Sequence, residues 1–350
     1  MTQTERLRKA AQFAQQHEVA WTREVDDKWG VHVNDPAPWN QLLGPIHDRG
    51  PASGVVMHQG QQVLSWGEPT RSDLTFSIAK TYLALLAGIA HDDGLLPDVH
   101  APISQRIQGF GFEGAHNRQV TWAQMLQQTS EWTGWCFGLP DQADHYRVVE
   151  FAAKPEGEKG SLRPLSAPGA YWEYNDVRIN QLSLALLHLF GRPLPEVFEE
   201  RIMQAVGAQH AWQWVGYDNA WTEVYGRRVP SVPGGTHWGG GVSIAAEDQA
   251  KIGMMMLNEG RYNKQQVVSA SWLAQMRQPC DLAPYYGYLT WLNTNQQLFS
   301  SLPASSYCAI GAGGNFCLVV PEAELVIVAR WVDPKYAETL FAQILAAICT

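Results

Sequence analysis

A serine and a lysine three positions apart, Ser77 and Lys80, are the side chains of this sequence best suited to chemistry. In a helix this spacing places both on one face and within reach of each other. A serine hydroxyl is a weak nucleophile until an adjacent base accepts its proton, and a lysine can be that base where burial or nearby charge favours the neutral amine. This pair, the only S-x-x-K string in the chain, therefore predicts nucleophilic catalysis at Ser77.

The residues around the pair predict a buried helix. The run 82–90 is apolar on every side of a helix, which is typical of a core position, and we interpret residues 75–96 as one helix that closes at Gly94. Ser77 falls in its first turn, where free N–H groups and the helix dipole favour developing negative charge. The same string also fits a serine that caps the helix beside a lysine that extends to solvent, so the pair alone leaves both alternatives open.

The elements that must position this pair predict a fold of the α/β (α+β) class. A hairpin and two strands are predicted near the two ends of the chain, over residues 54–67, 316–320 and 325–331. Further helices are predicted over residues 6–14, 181–190, 246–257 and 337–348. This order predicts one α/β domain formed from residues 1–97 and 235–350, interrupted by a mainly helical subdomain over residues 98–234.

Composition and charge narrow the classes of function. A net charge of −9 argues against nucleic-acid binding, which needs a basic surface. The longest apolar run is shorter than the ~20 residues that cross a bilayer, and residues 1–16 lack the apolar core of a signal peptide. Five cysteines without C-x-x-C spacing fit reduced thiols. We therefore expect a cytoplasmic protein that acts on a small molecule, with no nucleic-acid or membrane partner; the oligomeric state is left open.

The sequence contains no convincing motif for binding a metal ion or an organic cofactor. No H-E-x-x-H string occurs among the eleven histidines, so we expect no metal site. Residues 109–114 match G-x-G-x-x-G, but no predicted strand precedes them and no convincing helix follows. The G-x-S-x-G string of α/β-hydrolases does not occur either. The expected chemistry therefore depends on side chains alone, without a cofactor.

Four segments, taken in order, resemble the serine β-lactamase-like hydrolases, a family that includes class C β-lactamases, family VIII esterases and penicillin-binding-protein-like enzymes. They are the helix after Phe76, the stretch Thr121–Ser130, the Pro-Gly to Tyr-x-Asn segment Pro168–Asp176, and Gly239–Ser243. The resemblance runs from about residue 50 to the C-terminus. It implies the β-lactamase/transpeptidase-like fold, a mainly antiparallel sheet flanked by helices with a helical insertion subdomain.

The same resemblance implies roles for two residues of the second motif. Tyr174, 97 residues after Ser77, takes the place of a tyrosine that shuttles protons beside the Ser–Lys pair. The asparagine position of that motif holds Asp176, which we expect to pair with Lys80 at the edge of the substrate site and to hold it charged. A literal Tyr-x-Asn string occurs at Tyr217, but it lacks the preceding Pro-Gly context and comes later than expected.

The third motif of the family is matched only in part, over residues 309–315. Its glycines fit, and by resemblance the N–H of Ala312 joins that of Ser77 as an oxyanion hole, with Gly311 and Asn315 at the substrate. The lysine or histidine that helps to bind a substrate carboxylate is replaced by Ala309. This departure argues against a β-lactamase or D-amino-acid peptidase and leaves acyl chemistry at Ser77 intact.

We therefore expect a serine hydrolase that cleaves a small ester or amide through an acyl-enzyme. Ser77 attacks the carbonyl, and Lys80 and Tyr174 accept and relay its proton. Trp172 and Trp238 are expected to form the walls of an apolar pocket. Two alternatives stay open: a β-lactamase or D-amino-acid peptidase, and a catalytically silent binding protein on the same fold.

Overall fold

Strands from both ends of the chain build one antiparallel sheet. The computed structural model describes residues 2–349, and its strands β1 to β15 are, in chain order, Ser53–His58, Gln61–Trp66, Ser72–Leu74, Trp135–Cys136, Leu139–Pro140, Gln213–Val215, Trp221–Val224, Arg227–Pro230, Gly241–Ala245, Arg261–Tyr262, Gln265–Gln266, Trp291–Leu292, Tyr307–Gly311, Asn315–Val320 and Leu325–Arg330. Six of them form the sheet β12-β13-β14-β15-β1-β2, in which every neighbouring pair is antiparallel. The two predicted strands near the C-terminus, β14 and β15, lie inside this sheet, and the predicted hairpin β1–β2 continues it to one edge.

Helices cover this sheet and fill the middle of the chain. The α-helices α1 to α8 of the described residues are Gln3–Gln16, Ile78–Asp92, Trp122–Leu126, Asp176–Phe190, Leu194–Phe198, Ala246–Leu257, Ala270–Met276 and Pro334–Ile348. Helix α1 packs against α8 and β2, whereas α6 packs against β1, β14 and β15. Every residue of β14 and β15 is buried, because both faces of the sheet are covered. The mixed α and β class is confirmed.

Helix α2 is almost completely buried, as its apolar sequence predicts. All residues from Ile78 to Ala90 are buried, and α4 and α7 pack beside it. The helix begins at Ile78, three residues later than predicted, because Thr75 bonds instead to a strand: its N–H and hydroxyl both donate to the carbonyl oxygen of Val242. Gly94 follows the helix with φ +73°, a conformation that glycine adopts without strain.

A small second sheet fixes the start of α2. Its strand order is β3-β9-β6, and β3 leads directly into the residues before Ser77. Leu74 pairs with Ser243 of β9. Strand β9 belongs to the Gly239–Ser243 segment that the sequence marks as a motif, so this segment anchors the chain just before the candidate nucleophile.

The middle of the chain, residues 98–234, contains α3, α4, α5 and the short strands β4 to β8. Helix α4 begins at Asp176, five residues before its predicted start, because the Asn175 side chain caps it by accepting the N–H of Arg178. The division into two structural units stays a prediction. Within residues 2–349, no helix has the length and hydrophobicity needed to cross a bilayer.

Candidate active site

Ser77 and Lys80 are joined by a hydrogen bond at the start of α2. The Lys80 Nζ donates to the Ser77 Oγ at 2.9 Å. Ser77 occupies the N-cap position, but its hydroxyl makes no capping bond, and the lysine side chain is only 1% exposed. The alternative of a capping serine beside a solvent-facing lysine is therefore excluded, and the hydroxyl is left oriented towards an amine.

The residue before the nucleophile adopts a conformation that is rare for a large side chain. Phe76 has φ +51°, in the left-handed region, which is unfavourable by about 1–2 kcal/mol for a non-glycine residue. Its ring packs against Trp21, Trp29 and Trp331, with centroid distances of 5.5–6.2 Å. This aromatic cluster offsets the strain and turns the chain so that Ser77 emerges at the end of α2.

Strand β13 brings a second N–H group to the nucleophile. It ends at Gly311, where an added Cβ would overlap the carbonyl oxygen of Thr75, so glycine alone permits this close approach. The N–H groups of Ser77 and Ala312 donate to no acceptor within residues 2–349. Both residues line one cavity. The pair can therefore donate to an oxygen that develops negative charge there.

Replacing Gly311 by alanine should damage this arrangement. The new Cβ forces β13 away from Thr75 and displaces the N–H of Ala312, which follows directly in the chain. Because loss of one oxyanion donor lowers kcat by about 10²–10³-fold, we expect a loss of about 10²-fold in G311A. Turnover of an activated ester measures it, and Gly114→Ala, where the added Cβ meets open space and φ is not positive, is the control.

Ser77, the candidate nucleophile, lies in a cavity of about 350 Å³. Its lining is mostly apolar and comprises Trp21, Val31, Asn34, Ser77, Arg147, Val148, Val149, Glu150, Phe151, Tyr174, Trp291, Ile310, Gly311, Ala312, Gly313, Gly314, Phe316 and Pro334. This volume is at the lower end of the range of small-molecule sites. The cavity therefore suits a short acyl group rather than a large one.

Tyr174 lies beside the pair on the cavity wall. Lys80 Nζ sits over its ring, 4.5 Å from the centroid, and the ring stacks on Trp291 at 5.7 Å. Tyr217 is placed elsewhere: its hydroxyl donates to the Gly235 carbonyl and accepts from Asn180, and burial raises its pKa well above the ordinary value. Of the two candidate tyrosines, the structure brings only Tyr174 to the Ser–Lys pair.

Four of the predicted substrate contacts need correction. Asp176 and Asn315 are completely buried behind the cavity; the Asn315 amide donates to the Ala312 carbonyl at 2.7 Å and so orients the turn. Trp238 is also completely buried and donates to the Trp39 carbonyl, away from the cavity. Trp172 lines a neighbouring cavity of about 640 Å³ instead of the one at Ser77. Gly311 is in the Ser77 cavity, as predicted.

Behind the pair, Lys80 enters a buried network of ions. Asp176 Oδ1 lies 2.7 Å from Lys80 Nζ and 2.7 Å from Arg147 Nη1. Although burial opposes ionisation, the cations of Arg147 and Lys80 hold the pKa of Asp176 below its ordinary value. Asp144 accepts the N–H of Asp176 at 2.7 Å and lies 3.3 Å from Arg147. The carboxylate at the asparagine position is therefore shared between two cations.

The network continues to a second group of charges. Lys159 pairs with Asp35 and, at 3.3 Å, with Asp144, and His237 Nε2 lies 2.8 Å from Asp35. Burial and the Arg147 cation lower the pKa of His237 despite the two nearby carboxylates, so the imidazole is neutral at neutral pH. Three carboxylates, Asp35, Asp144 and Asp176, thus share two cations, Arg147 and Lys159, and the amino group of Lys80.

One cluster in this network has the residue types of a metal site. Ligand atoms of Asp144, Asp176 and His237 lie within 4.8 Å of one another. The two carboxylates, Asp144 and Asp176, are both paired with Arg147. In addition, Asp176 contacts Lys80 and Asp144 contacts Lys159. Because these carboxylates already have cationic partners, a divalent ion would have to displace them, and the donor set does not fit a resident metal.

The sequence pattern did not reveal Arg147. It lies between two short strands and helix α4, in a segment without helical or strand periodicity. The one available signal is indirect. A buried Asp176 that is paired with Lys80 alone would keep this lysine charged, so a neutral Lys80 requires a second positive partner for Asp176.

The chain thus has the β-lactamase/transpeptidase-like fold, and Ser77, Lys80 and Tyr174 lie together at the end of its sheet. The sequence profile described as Beta-lactamase matches residues 40–342. The chain belongs to the β-lactamase family. No curated protein matches the sequence.

Solved structures share this fold at low sequence identity. EstCE1, described as a hydrolase with promiscuous acyltransferase activity, is 15% identical, with a TM-score of 0.63 over 99% of both chains. A penicillin-binding protein homologue from Caulobacter crescentus is 13% identical, with a TM-score of 0.63 over 99% of this chain and 97% of that one. A class C β-lactamase from Rhodobacter sphaeroides is 16% identical, with a TM-score of 0.58 over 88% and 95%. The family and these structures are mostly hydrolases.

Proposed function

We propose that the protein is a serine hydrolase that cleaves a small ester or amide through an acyl-enzyme at Ser77. The observation that carries the proposal is the 2.9 Å hydrogen bond between Lys80 Nζ and Ser77 Oγ at the cavity, with the lysine otherwise buried. A buried amine in contact with a serine hydroxyl is the arrangement that makes the hydroxyl nucleophilic. Membership of a family of hydrolases supports the same conclusion.

The reaction proceeds in two halves on these residues. Ser77 Oγ bonds to the substrate carbonyl carbon while its proton passes to the neutral Lys80 amine, and the N–H groups of Ser77 and Ala312 donate to the resulting oxyanion. Collapse of this intermediate breaks the bond to the leaving group, which takes a proton relayed from Lys80 through Tyr174. Water then attacks the acyl-enzyme carbonyl and gives its proton to the same relay. Collapse of the second intermediate breaks the bond from the acyl carbon to Ser77 Oγ, which takes that proton back, and the acid is released.

The cavity supports an uncharged, compact acyl group. Apolar side chains dominate its lining, and Arg147, its one cation, is engaged by Asp176 and Asp144. Ala309, at the position where β-lactamases and peptidases carry a cation, is buried in β13. A substrate carboxylate thus finds no unpaired cation at this position, which favours an ester or amide over a β-lactam or a D-amino-acid peptide.

Labelling with a fluorophosphonate tests the proposal directly. We expect one covalent adduct per chain, located at Ser77 by peptide mass spectrometry, together with turnover of p-nitrophenyl acetate and butyrate that exceeds turnover of the decanoate. Nitrocefin hydrolysis faster than that of these esters would favour the β-lactamase alternative. A chain that shows neither adduct nor ester turnover would be the catalytically silent binding protein.

Removing the Tyr174 hydroxyl should slow both halves of the reaction. In Tyr174→Phe the ring can still stack on Trp291 and contact Lys80, so the cavity keeps its shape while the proton relay is lost. General acid–base groups typically contribute 10²–10⁴-fold; because Lys80 remains as a base, we expect kcat to fall by about 10²-fold. Tyr217→Phe serves as the matched control, since its hydroxyl lies away from the cavity. Equal turnover in Tyr174→Phe and the parent protein would remove Tyr174 from the mechanism.

A further inference from the structure

An aspartate at the asparagine position poses a problem for the base. A carboxylate in contact with a buried lysine favours the ammonium form, because the opposite charge within about 4 Å stabilises it. Asp176 is such a carboxylate: its Oδ1 lies 2.7 Å from Lys80 Nζ, and both side chains are only 1% exposed. If Asp176 were the only charge beside Lys80, it would keep the lysine protonated and so prevent transfer of the Ser77 proton to Lys80.

A second cation, Arg147, forms an ion pair with the same carboxylate oxygen of Asp176. Arg147 Nη1 lies 2.7 Å from Asp176 Oδ1, so that lysine and arginine form ion pairs with the same carboxylate oxygen. The Arg147 guanidinium also lies 5.2 Å from the centroid of the Tyr174 ring, which is the ring that contacts Lys80. Arginine stays charged under all conditions in which the protein is folded, so its compensation of Asp176 is permanent.

Other elements hold the guanidinium in this place. Asp144 lies 3.3 Å from Arg147 and accepts the backbone N–H of Asp176, which ties both partners to one carboxylate. Asp144 is itself paired with Lys159, and beyond it lie Asp35 and a neutral His237. The charges that face Lys80 directly are thus Asp176 from α4 and Arg147 from the loop before it. Farther away, Asp144 and Asp35 share the single cation Lys159, which leaves one negative charge in excess.

We propose that Arg147 is a positioning residue that neutralises Asp176 and thereby lets Lys80 act as the base, so that Arg147 and Asp176 together replace the single asparagine of the usual motif. The inference rests on the proposed function, since it assigns Arg147 a part in that reaction. The proposal makes the two residues interdependent: the loss of either charge disturbs Lys80, and the loss of both restores its surroundings.

The pH dependence of Ser77 labelling measures this interdependence without a natural substrate. The pseudo-first-order rate of fluorophosphonate labelling is recorded from pH 5 to 10 for the parent and four variants: Arg147→Gln, Arg147→Lys, Asp176→Asn and the double variant R147Q/D176N. In R147Q the unshared carboxylate should raise the pH of half-maximal rate by about 1–2 units, which lowers the rate at pH 7 by about 10–100-fold. R147K, which keeps the charge, should stay within a few-fold of the parent.

The remaining two variants separate compensation from a structural role. Asp176→Asn removes the carboxylate beside Lys80 and leaves Arg147 paired with Asp144 alone, so the pH of half-maximal rate should fall below that of the parent. The double variant should return to within about 0.5 unit of the parent and recover most of the rate that R147Q loses. A double variant that is as slow as R147Q, or slower, would overturn the proposal.

Two controls keep the outcome interpretable. Arg163 is also buried and contacts two carboxylates, Glu131 and Glu173, but not Lys80 or Asp176, so Arg163→Gln should lower the unfolding temperature without moving the pH profile. Thermal unfolding selects the temperature at which all variants are folded; should R147Q not fold, the R147K and D176N profiles, with their different expected shifts, decide the question. A parent protein that labels away from Ser77 contradicts the proposed function, whereas normal Ser77 labelling with identical profiles in all variants contradicts the role of Arg147 alone.

Discussion

Replacement of Ser77 by alanine should abolish ester turnover and fluorophosphonate labelling while the protein stays folded. The acyl-enzyme needs the Oγ atom, and no other side chain that lines the cavity has a hydroxyl bonded to a lysine amine. Removal of the nucleophile in serine hydrolases lowers kcat by up to about 10⁶-fold, so turnover should fall to the level of the residual background.

The same substitution should have little effect on stability. The Ser77 hydroxyl makes no capping bond, and Lys80 keeps its contact with Asp176 when Oγ is lost. Thermal unfolding of the variant should therefore lie within a few degrees of the parent. Ser65→Ala, at an exposed position of β2, is the matched control and should keep full turnover and labelling. A Ser77→Ala protein that still carries the probe would place the nucleophile elsewhere.

The elements that hold this serine could be predicted where periodicity is strong. The apolar run of α2 and the strands β14 and β15 each have one dominant pattern, and all three are buried in the structure. The hairpin β1–β2 also forms as predicted, although most of β2 is exposed. The Ser–Lys contact could be predicted for the same reason, since a spacing of three in a helix fixes which side chains meet.

The remaining parts of the site depend on contacts that no local pattern encodes. Arg147 reaches Asp176 from a segment without regular structure, and its partner Asp144 lies in a short 3₁₀ turn. The left-handed conformation of Phe76 depends on three tryptophans from two distant segments, Trp21 and Trp29 near the N-terminus and Trp331 near the C-terminus. Trp238 was expected at the cavity because of its neighbours in sequence, but its indole turns towards Trp39 instead.

The role of Lys80 as a base, rather than as a structural partner of Asp176, can be decided by two substitutions at one position. Lys80→Arg keeps a permanent positive charge beside Asp176 but removes the ability to accept a proton at pH 7. Lys80→Met removes both the positive charge and the proton acceptor, and it leaves Asp176 paired with Arg147. If proton transfer to Lys80 drives the reaction, kcat should fall by about 10³-fold in both variants, within the range known for general bases.

A purely structural lysine predicts a different pattern. Lys80→Arg would then keep most of the activity because it retains the ion pair, whereas Lys80→Met would lose activity together with stability. Breaking a buried ion pair by removing one partner destabilises a protein by about 3–5 kcal/mol, but Arg147 remains on the same oxygen of Asp176, so we expect a smaller loss in Lys80→Met. Ester turnover and chemical denaturation of both variants therefore separate the two roles. If both variants are folded and inactive, Lys80 is the base; if Lys80→Arg is active, Lys80 is not the base.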